Sequence, residues 1–297
     1  QISLYNDDQI NKNVEYLNIQ DEGGTNEIVN KVSIKIINQL EKINNVQRID
    51  IPVSELTLAL QCGGSDSYSG VTANPALGVA SDMLVSYGGS SILSETTEIY
   101  GAEHLLFERS VNKDNIEKIK KQIDWWKNYL HKNNSTLDNN PSPGNKKGGL
   151  TTILEKSLGG VSKSGTSNLV DVLDYAEKLK IKGVNFMNGP GYDPVSVTGQ
   201  VASGANIICF TTGRGSCFGF KPTPSIKIAT NTNMYNKLKE DMDINAGTIM
   251  DNEKSIHEVG EEIFNKIISV ASGEKSKSEI NEYGDDEFNP WIIDPTL

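Results

Sequence analysis

The chain has 297 residues, 36% of them hydrophobic and 23% charged, and its 28 basic and 39 acidic residues give a net charge of −11. This composition is typical of a folded globular protein, and the negative charge argues against nucleic acids and anionic membranes as partners. No apolar run approaches the about 20 residues of a membrane span and no secretory signal opens the chain, so we expect a cytoplasmic protein.

The three cysteines are Cys62, Cys209 and Cys217, and they form no CxxC pair. Their odd number argues against a disulfide framework, so we expect reduced thiols. The sequence does not decide the oligomeric state, and a homodimer stays an open alternative.

Residues 1–50 are expected to be a leading segment with one long helix. The first 24 residues show little periodicity, and the chain lacks an initiating methionine, which is typical of an excised piece. Beyond them, apolar residues recur at steps of three and four, which predicts an amphipathic helix that packs one face on a core. These residues are Val29, Val32, Ile36, Leu40 and Ile43.

The next part of the chain predicts a βαβ unit. Residues 57–60 form a short buried strand that runs into a glycine- and serine-rich loop starting at Cys62. Asn74 and Pro75 supply a helix N-cap and a first-turn proline, and the helix ends at Gly88. A second strand, 91–93, follows at once. Such a unit implies parallel strands covered by helices.

The remaining elements extend this α/β pattern over residues 51–297. A long helix is predicted over 116–130, followed by a long loop over 133–149. A strand over 206–210 leads into another glycine-containing loop, and Ser255 with Glu258 forms the capping box of a late helix. We therefore predict a three-layer α/β fold, with a mainly parallel sheet and helices on both faces.

Three polar loops follow predicted strands: 62–74, 94–98 and 211–216. Ligands of parallel sheets collect at the carboxyl ends of the strands, where loop amides and helix N-termini converge. We expect these loops to meet there, together with the Asn/Ser/Pro/Gly stretch at 140–146, and to bind a polyhydroxylated ligand.

Several long segments resemble the altronate and galactarate dehydratases. They are LQCGGSDSYSGVTANPALG, SETTEIYGAEHLL, NNPSPGNKKGGLTTILEKSLG, PGYDPVSVTGQVASGAN, FTTGRGS and DMDINAGT, in that order. The resemblance implies that residues 1–297 are the C-terminal catalytic region of such an enzyme, without the family's small N-terminal domain and middle region. The sulfolactate sulfo-lyase large subunit belongs to the same superfamily.

The resemblance implies loss of water from a hexonate or hexarate, altronate or galactarate, to give a 2-keto-3-deoxy acid. It also implies a divalent metal, Fe²⁺ or Mn²⁺. The chemistry needs a base for the weakly acidic C2 proton, an acid for the leaving C3 hydroxyl, and a cation or fixed donors for the developing negative charge.

Four residues are candidates for catalysis: His104, Glu95, Glu98 and Lys146. His104 is the only histidine in a family-like segment, which suits a metal ligand or an acid/base group. Glu95 and Glu98 lie three apart and would share one face of a helix beginning there, although acidic residues also favour a helix start for electrostatic reasons. Lys146 suits either a substrate carboxylate or, if desolvated, the role of base.

The metal candidates are Asp66, Cys62 and His104, with Asp66 favoured over Cys62 because a buried cysteine is often only an apolar filler. Asn74 is also explained as a helix cap, and Arg214 suits a substrate carboxylate through a bidentate contact. The candidates for substrate binding are Ser65, Ser69, Thr72, Asn74, Asn145, Thr211, Thr212 and Arg214.

Two other functions stay open. One is a β-elimination of the sulfolactate sulfo-lyase type, with sulfite as the leaving group. The other is a sugar-acid-binding fragment without catalysis. Galactarate brings two carboxylates and altronate only one, so the number of cationic groups that face the site would distinguish these substrates.

Overall fold

The structure, a computed structural model, describes residues 17–137 and 140–292 and contains two compact units, Gln1–Ile51 and Pro52–Leu297. The described part of the first unit holds helix α1 (Thr25–Asn44), which confirms the predicted helix. The predicted burial of its apolar face is wrong, because Val29, Ile36, Leu40 and Ile43 are 42–56% exposed. One helix is too short to build a core of its own. Residues 1–16 of the predicted leading segment lie outside the described residues.

The second unit is built on one seven-stranded sheet in which every pairing is parallel. The strand order is β3-β4-β2-β1-β5-β6-β7. The strands are β1 (Thr57–Cys62), β2 (Ser90–Leu93), β3 (Leu169–Leu173), β4 (Val184–Met187), β5 (Ile207–Thr212), β6 (Ser225–Ala229) and β7 (Ile244–Asn245). The helices of this unit are α2 (Ala73–Ser86), α3 (His104–Phe107), α4 (Lys113–Lys132), α5 (Pro143–Lys147), α6 (Ile153–Ser162), α7 (Asp193–Ser203), α8 (Thr232–Lys237), α9 (Ile256–Ala271) and α10 (Lys277–Ile280).

Helices cover both faces of the sheet, which confirms the three-layer α/β prediction. On one face, Leu58 and Leu60 of β1 share a hydrophobic cluster with buried residues of α2, α4 and α9. On the other face, Ala59 packs in a second cluster with Phe210 of β5 and Val197 of α7. Alternate residues of a strand point to opposite faces, so both halves of the core are anchored on the same central strands.

The predicted βαβ unit is confirmed, since β1 and β2 pair in parallel and α2 connects them. The predicted cap of α2 is wrong. The helix begins at Ala73, and Asn74 lies inside it. Its side-chain amide instead donates to the Gly159 carbonyl at 2.9 Å and accepts from the Thr211 hydroxyl at 2.6 Å. The side chain therefore joins α2, α6 and β5 rather than capping a helix.

The long loop predicted over 133–149 is corrected by the short helix α5 within it. Ser142 and Asn145 form a reciprocal capping box, and Pro143 occupies the first turn, where its missing N–H costs nothing. The helices predicted over 116–130 and after Ser255 are confirmed as α4 and α9. None of the described helices combines the length and the apolar character that a membrane crossing requires.

Candidate active site

A cavity of about 610 Å³ lies at the carboxyl edge of the sheet. The cavity is lined by Cys62 at the end of β1, Glu98 after β2, Asp193 at the start of α7, Arg214 after β5 and Asn145 of α5. Because β1 lies between β2 and β5, the loops that follow these three strands meet at one place. The predicted convergence of the polar loops is confirmed.

Cys62, Glu95 and Glu98 form a buried group beside this cavity, and Cys62 and Glu98 of the three line it. The Cys62 sulfur lies 3.8 Å from a Glu95 carboxylate oxygen and 3.7 Å from a Glu98 oxygen. Within the described parts of the chain, these are the three side chains of metal-binding type whose ligand atoms all lie within 4.8 Å of one another. Each is at most 4% exposed.

The backbone at Glu95 explains how both glutamates reach Cys62. Glu95 has φ 71° and ψ 65°, the left-handed conformation, and it precedes a single 3₁₀ turn, Thr96–Glu98. The two carboxylates therefore do not share a face of an α-helix, as the sequence suggested, but are directed together by a tight turn. A left-handed non-glycine residue costs about 1–3 kcal/mol, and such conformations cluster at functional sites.

Two lysines bond to this group: Lys156 lies in α6, and Lys163 is the C-cap of that helix. The Lys163 ammonium donates to the Cys62 sulfur at 2.9 Å and to Glu95 at 2.8 Å. The Lys156 ammonium donates to Glu98 at 2.6 Å and to the Asn140 side-chain oxygen at 2.8 Å. Sequence reasoning missed both lysines. The available signal was their spacing of seven residues, two helical turns, across a run of small and apolar residues.

Burial controls the protonation of these groups. Desolvation raises the pKa of the Cys62 thiol to about 12 and that of Glu95 to about 8, while the Lys163 charge opposes both shifts. Burial alone would lower the pKa of Lys163, but Cys62, Glu95 and Glu98 outweigh it and raise it, so this lysine stays charged. Two carboxylates and a thiol whose ligand atoms lie this close together are donor types that bind divalent cations, so the donor set fits a metal.

A third carboxylate approaches from the start of α7. The Gln61 side-chain amide donates to Glu95 at 2.7 Å and to Asp193 at 3.3 Å. Burial, and then the nearby Glu98 charge, raises the pKa of Asp193 to about 7. Sequence reasoning missed Asp193 as well, although it lies in the family-like string PGYDPVSVTGQ. An aspartate that titrates near neutral pH suits proton transfer.

The family profile D-galactarate/Altronate dehydratase, C-terminal, matches residues 53–296. The chain belongs to this family. It is 47% identical over 236 residues to "Galactarate dehydratase (L-threo-forming)" of Escherichia coli (strain K12), covering 80% of this chain and 45% of that protein. It is 44% identical over 238 residues to "Altronate dehydratase" of Bacillus subtilis (strain 168), covering 80% and 48%.

A further relative is "(2R)-sulfolactate sulfo-lyase subunit beta" of Chromohalobacter salexigens. The identity is 34% over 271 residues, covering 90% of this chain and 69% of that subunit. The chain spans about half the length of the two dehydratases that it matches.

In this member of the dehydratase family, Arg214 and Asn145 line the cavity, but the Asn145 amide is buried and already bonds Ser65 and Ser142. The Arg214 guanidinium packs closely against Gly144. A side chain at residue 144 would collide with it, because a Cβ there would lie 2.6 Å from a guanidinium nitrogen. No carboxylate of residues 17–137 or 140–292 lies within ion-pair distance of Arg214, whereas Lys156 is paired with Glu98. Arg214 is therefore an available cation at the cavity.

Asp66, the favoured metal candidate, has its carboxylate occupied by hydrogen bonds within the fold. It accepts from the backbone and hydroxyl of Ser69, the backbone of Tyr68, the Thr230 hydroxyl and the Asn231 amide. These contacts tie the loop after β1 to the loop after β6. Asp66 is 5% exposed and does not line the cavity of about 610 Å³.

The other predicted substrate-binding residues are buried around this loop junction. Ser65, Ser69 and Asn74 line a small pocket of about 10 Å³ that also reaches Cys62 and Lys156. The Thr72 hydroxyl donates to the Thr230 carbonyl at 2.8 Å. Thr211 donates to Asn74, and the Thr212 hydroxyl accepts from the Gly215 backbone at 3.1 Å. None of these residues lines the cavity of about 610 Å³.

Two predicted catalytic residues lie away from the buried group. His104 is the first residue of α3 and is exposed, and Lys146 is exposed on α5. Neither lines the cavity. The cationic positions beside the glutamates are occupied by Lys156 and Lys163 instead.

Proposed function

We propose that the chain carries the elimination site of a metal-dependent sugar-acid dehydratase, which converts a hexonate or hexarate, altronate or galactarate, to a 2-keto-3-deoxy acid. The observation that carries the proposal is the buried group of Cys62, Glu95 and Glu98, two of which line a 610 Å³ cavity, in a chain of the dehydratase family. The cavity volume lies within the range of about 300–1,000 Å³ that is usual for small-molecule sites.

In this proposal, Cys62, Glu95 and Glu98 hold the cation. Of the two cations that the family resemblance implies, the oxygen donors suit both Fe²⁺ and Mn²⁺, and the softer sulfur donor favours Fe²⁺. When bound, such a cation supplies Lewis-acid stabilisation of the negative charge that develops on the substrate carboxylate. Lys163 and Gln61 keep the Glu95 side chain in place through hydrogen bonds of 2.8 and 2.7 Å.

Asp193 and Lys156 are the base and the acid. Asp193 has a pKa of about 7, so a useful fraction is ionised at neutral pH and can accept the C2 proton. Lys156 is kept charged by Glu98, although burial opposes this, and its pKa is raised. Its ammonium lines the cavity and donates a proton to the C3 hydroxyl as that group leaves. His104 and Lys146 have no role in this mechanism.

Arg214 binds a substrate carboxylate through its planar pair of donors. With the cation at the reacting end, Arg214 serves the far end of the substrate. A hexarate carries a carboxylate there and a hexonate carries a hydroxyl. This arrangement makes Arg214 the residue that separates the two substrate classes.

The test is an anaerobic assay of the protein with Fe²⁺ or Mn²⁺ and, separately, galactarate and altronate, following the 2-keto acid. We expect turnover that a chelator abolishes. Asp193→Asn should lower kcat by about 100-fold, the usual worth of a general base, while exposed Asp124→Asn should not change it. Metal binding without turnover on either acid would support a binding fragment and overturn the proposal.

The similarity to the sulfo-lyase subunit favours one alternative, a β-elimination with sulfite as the leaving group, since that match covers 69% of the subunit. The same base and cation would act on sulfolactate. Sulfite release from sulfolactate, in the same assay and without 2-keto-3-deoxy acid from either sugar acid, would favour this alternative.

A further inference from the structure

A second cavity, of about 670 Å³, lies against α4 and the carboxyl ends of β3 and β4. It shares no lining residue with the candidate active site. Its volume is within the usual range for small-molecule sites. The residues that line it are Lys118, Lys121, Gln122, Trp125, Asp174, Tyr175, Asn188 and Trp291.

Aromatic rings in fixed orientations form one wall of this cavity. The Trp291 ring packs edge-on against Trp125 and Tyr175, with ring centroids 5.6 and 5.4 Å apart. It also stacks on Trp126, with ring centroids 5.1 Å apart. The Tyr175 hydroxyl donates to the Val195 carbonyl at 2.8 Å and accepts from the Trp291 backbone at 3.2 Å. Trp125 remains 38% exposed. Such a packed, partly exposed aromatic wall suits a flat ring.

The acidic group on the lining, Asp174, already pairs with Lys118 at 3.5 Å and accepts from the Gln122 amide at 3.2 Å, and Lys118 also pairs with Glu177 at 3.1 Å. The Gln122 side-chain oxygen is buried without a hydrogen-bond partner among the described residues and is the acceptor that the lining leaves open. No carboxylate in the described ranges lies within ion-pair distance of Lys121. The Asn188 side-chain oxygen already accepts from Trp126 at 3.0 Å and from Thr96 at 2.7 Å. Its amide nitrogen makes no hydrogen bond to a described residue. A cation and an amide donor together favour a ligand with a carboxylate.

We propose that this cavity binds a small aromatic carboxylate. The ring lies against Trp125 and Trp291, and the carboxylate accepts from Lys121 and from the Asn188 amide. A purely ionic ligand would leave the aromatic rings without a contact. A purely apolar ligand would leave the two donors without an acceptor. The acyclic sugar acids proposed for the other cavity have no flat face, so the two sites take different ligands.

The tryptophans allow a direct test. The chain has three, at 125, 126 and 291, and all belong to this aromatic cluster, so intrinsic tryptophan fluorescence reports on this cavity. We would titrate the protein with benzoate by fluorescence, and measure the binding of benzoate and of indole-3-carboxylate by calorimetry, because the indole ring of the second ligand fluoresces like tryptophan. We expect saturable binding of both acids. Cyclohexanecarboxylate, which lacks the aromatic face, and benzyl alcohol, which lacks the charge, should bind at least about fivefold more weakly.

Two matched variants on α4 distinguish binding in this cavity from nonspecific attraction of an anion to a basic surface. Lys121→Gln should weaken benzoate binding about fivefold, the effect of one partly exposed charge contact. Lys120→Gln removes the same charge one residue away, where Lys120 pairs with Glu117 at 2.9 Å, and should leave binding unchanged. Trp291→Leu, checked for folding by circular dichroism, should also weaken binding. Absence of saturation in the unaltered protein, or equal effects of Lys120→Gln and Lys121→Gln, would overturn the proposal.

Discussion

The Lys163 ammonium lies 2.9 Å from the Cys62 sulfur, and both side chains are buried. Lys163 also donates to Glu95, so one fixed positive charge serves two of the three proposed metal ligands. Burial raises the pKa of the Cys62 thiol to about 12 although the Lys163 charge lowers it, so the thiol keeps its proton in the metal-free protein. A cation that binds there would displace this proton, because the thiolate is the form that binds metals.

The role of Cys62 is tested by Cys62→Ser. A serine hydroxyl does not ionise at neutral pH and lacks the soft donor, so we expect Fe²⁺ and Mn²⁺ affinity to fall by about tenfold or more. Equilibrium dialysis followed by metal analysis measures the affinity. Cys217→Ser is the control, since Cys217 is exposed and lies outside the group. Equal metal content in the two variants would rule out Cys62 as a ligand.

Asp66 is expected to matter for stability rather than for metal binding. Its carboxylate accepts hydrogen bonds from Tyr68, Ser69, Thr230 and Asn231. Asp66→Ala leaves these buried donors without an acceptor, so the free energy of unfolding should fall by about 3 kcal/mol. Denaturant titration measures this loss, and metal analysis of the folded fraction should give unchanged metal content.

A control for that variant is Asp124→Ala, an exposed aspartate of α4, which should change the free energy of unfolding by less than about 0.5 kcal/mol. If Asp66→Ala kept its stability but lost metal, the sequence-based choice of Asp66 as a ligand would be restored.

Arg214 should distinguish the two candidate substrates. Arg214→Gln removes the available cation of the cavity, so we expect KM for galactarate to rise about tenfold, because a charged hydrogen bond contributes about 1.5–3 kcal/mol. KM for altronate should change less, since its far end carries no carboxylate. Lys146→Gln, an exposed cation outside the cavity, is the control. Equal changes for the two acids would place Arg214 at the carboxylate that both share.

The fold was predictable because its signals are local. Apolar periodicity located α4 and α9, a capping box marked the start of α9, and a strand–loop–helix–strand pattern gave the parallel pairing of β1 and β2. The start of α2 was not predictable in the same way. Asn74 has the residue type of a cap, but its contacts with Gly159 and Thr211 join segments more than 80 residues distant in the chain.

The site was predictable only in part, for the same physical reason. Cys62 ends β1, and Glu98 and Arg214 follow β2 and β5, so the parallel sheet brings all three to one edge. Lys163 and Asp193 reach the same place from a helix end and a helix start, and no local pattern encodes that meeting. His104 was predicted because imidazole binds metals and transfers protons, but at the start of the short helix α3 it is exposed.

Asp193 should link the stability of the metal-free protein to pH. Its pKa rises from 3.8 to about 7 on folding, so between these values the folded state binds more protons than the unfolded state. The contribution of Asp193 to the free energy of unfolding therefore falls as the pH rises from about 4 to about 7, and is constant above that. Asp193→Asn cannot ionise and removes this loss, so the variant should be more stable than the unaltered protein at pH 8, by at most about 4 kcal/mol. Partial exposure of the carboxylate should make the gain smaller. Denaturant titrations of both proteins with a chelator, from pH 4 to pH 8, give the difference directly, and a difference that does not change with pH would contradict the assignment.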